Sequence, residues 1–140
     1  MSKQNYELGE IGEGIGRTYL RDKGYKEYYI ICRGERGNMS PFDFISKETN
    51  EIIEIKTRKL PAVRPYAFDF TMRQLEYYNK YKENKNFLVL VVILHPNLEY
   101  EIRVFNLDED FIDINRKMEY TVFNGLRRVR LTLKKKVRTY

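Results

Sequence analysis

The run FLVLVVIL at 87–94 limits the fold more than any other stretch of this chain. Eight consecutive apolar residues leave no side for water, so the segment reads as a core strand covered on both faces. It is far shorter than the roughly 20 residues needed for a membrane-spanning helix. Its Val, Ile and Leu content is that of a buried strand. Such a strand needs partners beside it and layers above and below it.

Neighbouring segments supply them. Leu8, Ile11, Ile15 and Tyr19 recur at helical spacing and predict a helix over 5–23, ended by Gly24. YKEYYIIC at 25–32 reads as a strand and RGERGNMS as a polar loop. FDFIS and EIIEIK are two short strands joined by KETN. Thr71-Met72-Arg73-Gln74 is a capping box opening a helix from about Met72 to Lys82. YEIRVFNL at 99–106 alternates as a partner strand, and the acidic DEDFIDINRK follows. Val129, Leu131 and Leu133 then alternate with Arg130, Thr132 and Lys134, giving a last strand with one apolar and one cationic face. The expected fold class is α/β: a central mixed β-sheet flanked by helices, in one domain over residues 1–140.

Composition narrows the chemistry. Cys32 is the only cysteine and His95 the only histidine, which excludes a Cys/His zinc cluster and disfavours a thiol or serine triad. Cys32 reads as a packing residue and His95, before Pro96, as a turn residue. Any metal is therefore a hard cation on oxygen ligands. A single cysteine and no apolar leader in MSKQNYELGE point to an intracellular, cytoplasmic setting with no membrane partner. The net charge of +6 is uneven. Residues 126–140 hold seven of the 26 Lys and Arg and no acid, leaving 19 bases against 20 acids elsewhere. This basic C-terminal β segment, with Arg127, Arg128, Arg130, Lys134 and Lys136, is a footprint for a polyanion such as nucleic acid. The alternative is a lysine-rich edge strand that blocks aggregation.

The hairpin SPFDFISKETNEIIEIK carries charges at the edge of a core. A four-residue loop at 47–50 sets Asp43 opposite Glu54; a two-residue loop at Thr49-Asn50 sets Asp43 opposite Lys56. Period-two alternation puts all three on one face in either register, with Phe42, Phe44, Ile53 and Ile55 on the other. Facing carboxylates, with Cβ atoms about 4.5–5.5 Å apart, destabilise a hairpin unless a cation lies between them. Lys56 or a divalent cation such as Mg²⁺ fills that role. The first helix holds Gly9, Gly12, Gly14 and Gly16, each costing about 1 kcal/mol relative to Ala inside a helix. Glycines are kept where a backbone comes close to something. Glu13 lies at the border of the buried face, with Glu10 as its competitor.

These residues resemble the PD-(D/E)XK nuclease superfamily. Its pattern is a helix Glu, an Asp, then Glu-x-Lys on the next strand, matched by Glu13, Asp43 and Glu54-Ile55-Lys56. Within it the chain is most similar to archaeal Holliday-junction resolvases, through Gly9, Glu13, Leu20, Gly24 and Tyr25. The likeness covers residues 9–94. Pro41-Phe42-Asp43 separates the Pro and Asp of the motif, and 126–138 have no counterpart. The resemblance implies a restriction-endonuclease-like fold and a Mg²⁺-dependent DNA endonuclease, structure-specific and homodimeric, with Mn²⁺ as a substitute. Asp43, Glu54 and the Ile55 carbonyl would bind the metal, with Glu13 completing a first or second shell. Lys56 would orient or deprotonate the water, or stabilise phosphate charge. Gln74 would lie near the active site, although the capping box explains it equally well. Arg33, Arg36, Arg58, Lys59 and Arg64 flank the motif as DNA contacts. The competing expectations are a sequence-specific restriction, homing or repair nuclease, a non-catalytic nucleic-acid-binding module, and an inactive member whose trio is an ion network.

Overall fold

The computed structural model describes residues 3–25, 42–46, 48–61, 67–112, 120–123 and 126–133. The strand expected over 25–32, apart from Tyr25, lies outside them, as do Cys32, Arg33, Arg36, Pro41, Arg64, Lys134 and Lys136.

Helix α1 (Lys3–Asp22) is followed by β1 (Phe44–Ser46), β2 (Glu51–Lys59), β3 (Ala67–Thr71), α2 (Met72–Tyr81), β4 (Asn86–Leu94) and β5 (Tyr100–Asn106). The chain then forms β6 (Phe111–Ile112), β7 (Tyr120–Phe123) and β8 (Leu126–Leu133). The fold is α/β. A mixed four-stranded sheet has the order β1-β2-β4-β5, with β2 and β4 parallel and the other pairs antiparallel. A parallel pair needs a crossover, and β3 with α2 supplies it.

A single central sheet was the expectation; the structure has a second, antiparallel one. In it β8 lies between β3 on one edge and β6 and β7 on the other. β8 is paired on both sides, so a protective edge-strand role does not apply to it. Its expected alternation holds where side chains are described: Leu131 and Leu133 are buried, Thr132 is exposed and Arg130 lies between.

The core strand behaves as its composition requires. Val89, Leu90 and Val92 have no exposed surface, and full burial of such a side chain stabilises by about 1.5–3 kcal/mol. One face packs on α1 through Leu20, Phe44, Ile53, Ile55, Leu90 and Val92. The other packs Ile52, Phe87, Val89 and Val91 against α2 and the second sheet, through Leu75, Tyr78, Phe68, Phe70, Leu131 and Leu133. Among the described residues no helix is long and apolar enough to cross a membrane.

Both helix ends follow from the sequence. Gly24 has φ +95°, with Tyr25 N donating to Leu20 O (3.0 Å) and Gly24 N to Arg21 O (3.0 Å), a Schellman closure that brings Tyr25 onto the core beside Leu20. The Thr71–Gln74 capping box closes reciprocally: Gln74 N donates to Thr71 Oγ1 at 3.1 Å and Thr71 N to Gln74 Oε1 at 3.0 Å.

Candidate active site

The hairpin register is that of the four-residue loop. Ser46 pairs with Glu51, Ile45 with Ile52 and Phe44 with Ile53, so Asp43 comes beside Glu54 just before β1 begins. Asn50, in the left-handed region at φ 59°, closes the turn, a conformation Asn tolerates better than most residues. Phe42 departs from the expected alternation. Residues 42–43 form a bend before the strand, and Phe42 packs on Tyr77 and Phe87 in the other core.

Among the described residues β1 is so short that β2 runs beyond it, and there its edge meets the Asp43 side chain. Asp43 Oδ2 accepts a hydrogen bond from the Ile55 N–H at 2.9 Å. The N–H and C=O of a strand residue leave on the same side, so the Ile55 carbonyl faces the same edge. Glu54 is only 7% exposed. Its Oε2 lies 3.5 Å from Lys56 Nζ, while its Oε1 is buried with no hydrogen-bond partner among the described residues. Lys56 Nζ also donates to the Asp69 main-chain carbonyl at 2.5 Å and sits 4.7 Å from the centre of the Phe70 ring. The second sheet therefore fixes the lysine.

Two carboxylates side by side in a desolvated corner cannot both ionise freely. Burial first, then the neighbouring Glu54 charge, push the Asp43 carboxyl well above the ordinary carboxylate range; the Ile55 N–H opposes them and the Glu13 charge adds to them. Coupled acids of this kind occur at functional sites.

Helix α1 closes the cleft from the opposite side. A Cβ on Gly12 would lie 1.7 Å from Thr57 Oγ1, and one on Gly16 would lie 3.0 Å from the Ile55 side chain. These two glycines let the helix backbone rest on β2, whereas Gly9 and Gly14 face open space. That descent brings Glu13 to the rim of the carboxylate pair. Glu10 lines the cleft too, as well as the groove on the other side of α1, but it is Glu13 whose charge acts on Asp43.

Sequence reasoning missed Arg17. Its Nε donates to Glu13 Oε2 at 3.2 Å, its Nη2 donates to the Asp43 main-chain carbonyl, and its guanidinium lies 5.9 Å from the Phe44 ring centre. The i, i+4 spacing of Glu13 and Arg17 is visible in the sequence; the tie to Asp43 is tertiary. Asp69 was also missed, holding Arg130 at 3.0 Å.

Glu13, Asp43, Glu54, Ile55, Lys56, Arg58 and Lys59 all line one cleft. Gln74 is not among its lining residues, and its amide oxygen is used in the capping box. Arg58 turns to the Ala67 carbonyl and the Phe68 ring (4.2 Å), so it bridges the two sheets. Lys59 is exposed. Arg127 and Arg128 are on β8 of the second sheet, opposite Val122 and Thr121 of β7.

The donor set fits a hard divalent cation. It offers a buried carboxylate oxygen with no hydrogen-bond partner among the described residues, a second carboxylate whose ionisation is resisted, and a carbonyl on the same edge. Among the described residues no three His, Cys, Asp or Glu side chains form a ready-made cage, and Mg²⁺ characteristically takes one or two carboxylates and keeps its waters.

Comparison with protein-family models, with curated proteins and with solved structures gives no match to this chain.

Proposed function

We propose that the protein is a Mg²⁺-dependent DNA endonuclease with a restriction-endonuclease-like fold. The observation that carries this reading is the Asp43–Glu54 pair, buried beside Lys56 with one carboxylate oxygen lacking a partner among the described residues. Folding alone disfavours such a pair, and a cation between the acids removes the penalty.

Asp43, Glu54 and the Ile55 carbonyl would hold the metal. Bound there, Mg²⁺ supplies a water of lowered pKa and neutralises charge on a phosphate. The chain's own residues do the rest. The Ile55 N–H fixes the Asp43 carboxylate, and Arg17 ties Glu13 to the Asp43 main chain. Lys56, held by the Asp69 carbonyl, presents its ammonium at the cleft, where it orients the attacking water or stabilises phosphate charge. Lys59 and the basic C-terminal segment offer phosphate contacts. The substrate is proposed to be branched DNA, by resemblance to junction resolvases, and the working form a homodimer with one site per copy.

Cleavage of labelled four-way junction, duplex and single-stranded DNA, with Mg²⁺ or EDTA, tests the proposal. Wild type should cut only with Mg²⁺, and Asp43→Ala and Lys56→Ala should not. Equal cutting by wild type and both variants, or none on any substrate, contradicts it. Site-dependent cutting of linear duplex points instead to a sequence-specific nuclease.

A further inference from the structure

The outer edge of β5 is self-complementary. Among the described residues β5 is an end strand of its sheet, with no partner on the side away from β4. Long apolar edge strands are hazards that chains normally blunt. Here the strand leaves Tyr100 55% and Val104 46% exposed, and Ile11 of α1, 54% exposed, lines one groove with Tyr100 and Ile102. Ile102 packs partly against the α1 core, and period-two alternation puts Tyr100, Ile102 and Val104 on that same face.

The hydrogen-bond parity is equally informative. His95 N donates to Glu99 O at 2.8 Å and Leu107 N to Phe87 O at 2.8 Å. In the antiparallel β4–β5 ladder, Ile93 faces Glu101 and Val91 faces Arg103. The odd-numbered residues of β5 therefore direct their backbone groups to β4, and Tyr100, Ile102 and Val104 direct theirs outward. The sequence around Ile102 reads Tyr-Glu-Ile-Arg-Val. Folded back on a second copy about Ile102, it sets Tyr100 against Val104, Glu101 against Arg103 and Ile102 against itself. Apolar meets apolar, acid meets base, and each outward N–H meets an outward C=O.

We infer that β5 pairs antiparallel with β5 of a second copy of this chain, on a two-fold axis at Ile102. The interface is isologous, as closed dimers are. Its Tyr100–Val104 and Ile102–Ile102 contacts run continuously with Ile11 from both copies. The Glu101–Arg103 pairs cross between copies on the opposite face, at positions where antiparallel side chains come closest. Within one copy Glu101 already holds Arg103 at 3.0 Å and His95 at 2.8 Å, so its carboxylate is positioned before association. The result is one eight-stranded sheet with both α1 helices on the same side. Five strand spacings separate the two β2 strands, about 24 Å. The inference does not rest on the nuclease reading, since it concerns mass and not cleavage.

Sedimentation of the full chain over a range of concentrations tests it. Wild type should sediment as a dimer. Val104→Lys puts a charge in the seam, and Val104→Pro removes an outward N–H without touching the β4 ladder. Each should weaken the dimer at least tenfold while circular dichroism and the melting midpoint stay near wild type. Glu101→Arg and Arg103→Glu should each weaken the dimer, and the double exchange should restore it. A wild-type monomer, or a dimer indifferent to all these substitutions, overturns the inference.

Discussion

The Asp43 carboxylate accepts the Ile55 main-chain N–H at 2.9 Å, just before β1 begins and beside the part of β2 that runs past it. This bond holds an acid beside buried Glu54, where its charge is least welcome. Asp43→Asn keeps an acceptor for Ile55 and removes the repulsion. It should raise the stability of the metal-free protein by about 1 kcal/mol at pH 8 while abolishing cleavage. Urea unfolding at that pH measures it; a less stable variant would contradict the repulsion.

The same pair gives stability a definite pH slope. The folded Asp43 carboxyl is pushed up to about 8, so the native state holds this proton more tightly than the unfolded chain. The resulting stabilisation is fully present below the ordinary Asp range and is lost as pH rises through the folded value. Urea midpoints without metal should therefore fall from pH 5 to pH 9, less steeply in Asp43→Asn. Saturating Mg²⁺ should flatten the wild-type curve, because the cation takes the place of the proton.

Gly12 and Gly14 should respond in opposite directions to the same change. An alanine at 14 meets open space and gains helix propensity, about 0.5–1 kcal/mol. At 12 it meets Thr57 at 1.7 Å, and such overpacking typically costs 1–3 kcal/mol. Thermal melts of the two variants check this. Gly12→Ala should also lower cleavage, because α1 carries Glu13 away from β2 as it lifts.

Gln74 separates scaffold from site. If its part is the capping box, Gln74→Ala costs about 1 kcal/mol and leaves cleavage per folded molecule unchanged. A large loss of rate in a protein that is still folded would return it to the active site. Lys56→Met should show the converse: Mn²⁺ binding by calorimetry is retained, while cleavage falls about 10²-fold or more.

Local chemistry made much of this legible. Asp43, Glu54 and Lys56 were recognisable from alternation, while Glu13 competed with Glu10 until the family pattern favoured it; the structure puts all of them around one cleft. Both helix ends follow from Gly24 and from Thr71 with Gln74. The hairpin register was not legible, because two loop lengths satisfied the same alternation; Ser46 opposite Glu51 decides between them. The second sheet was missed for a different reason. Phe68 and Phe70 of β3 alternate in AFDFT, but their partner strand β8 lies some 60 residues on, as in Asp69 opposite Arg130. No local pattern encodes such a pairing. Phe42 went to the wrong core in the sequence reading because the bend at 42–43 interrupts the alternation from which its face was inferred.

The most direct test of the central claim is a crystal soaked in Mn²⁺, with anomalous scattering recorded at the manganese edge. The metal site should give a peak between the Asp43 and Glu54 carboxylates, within bonding distance of the Ile55 carbonyl. No peak there at millimolar Mn²⁺, with Glu54 still held by Lys56 alone, would contradict the account.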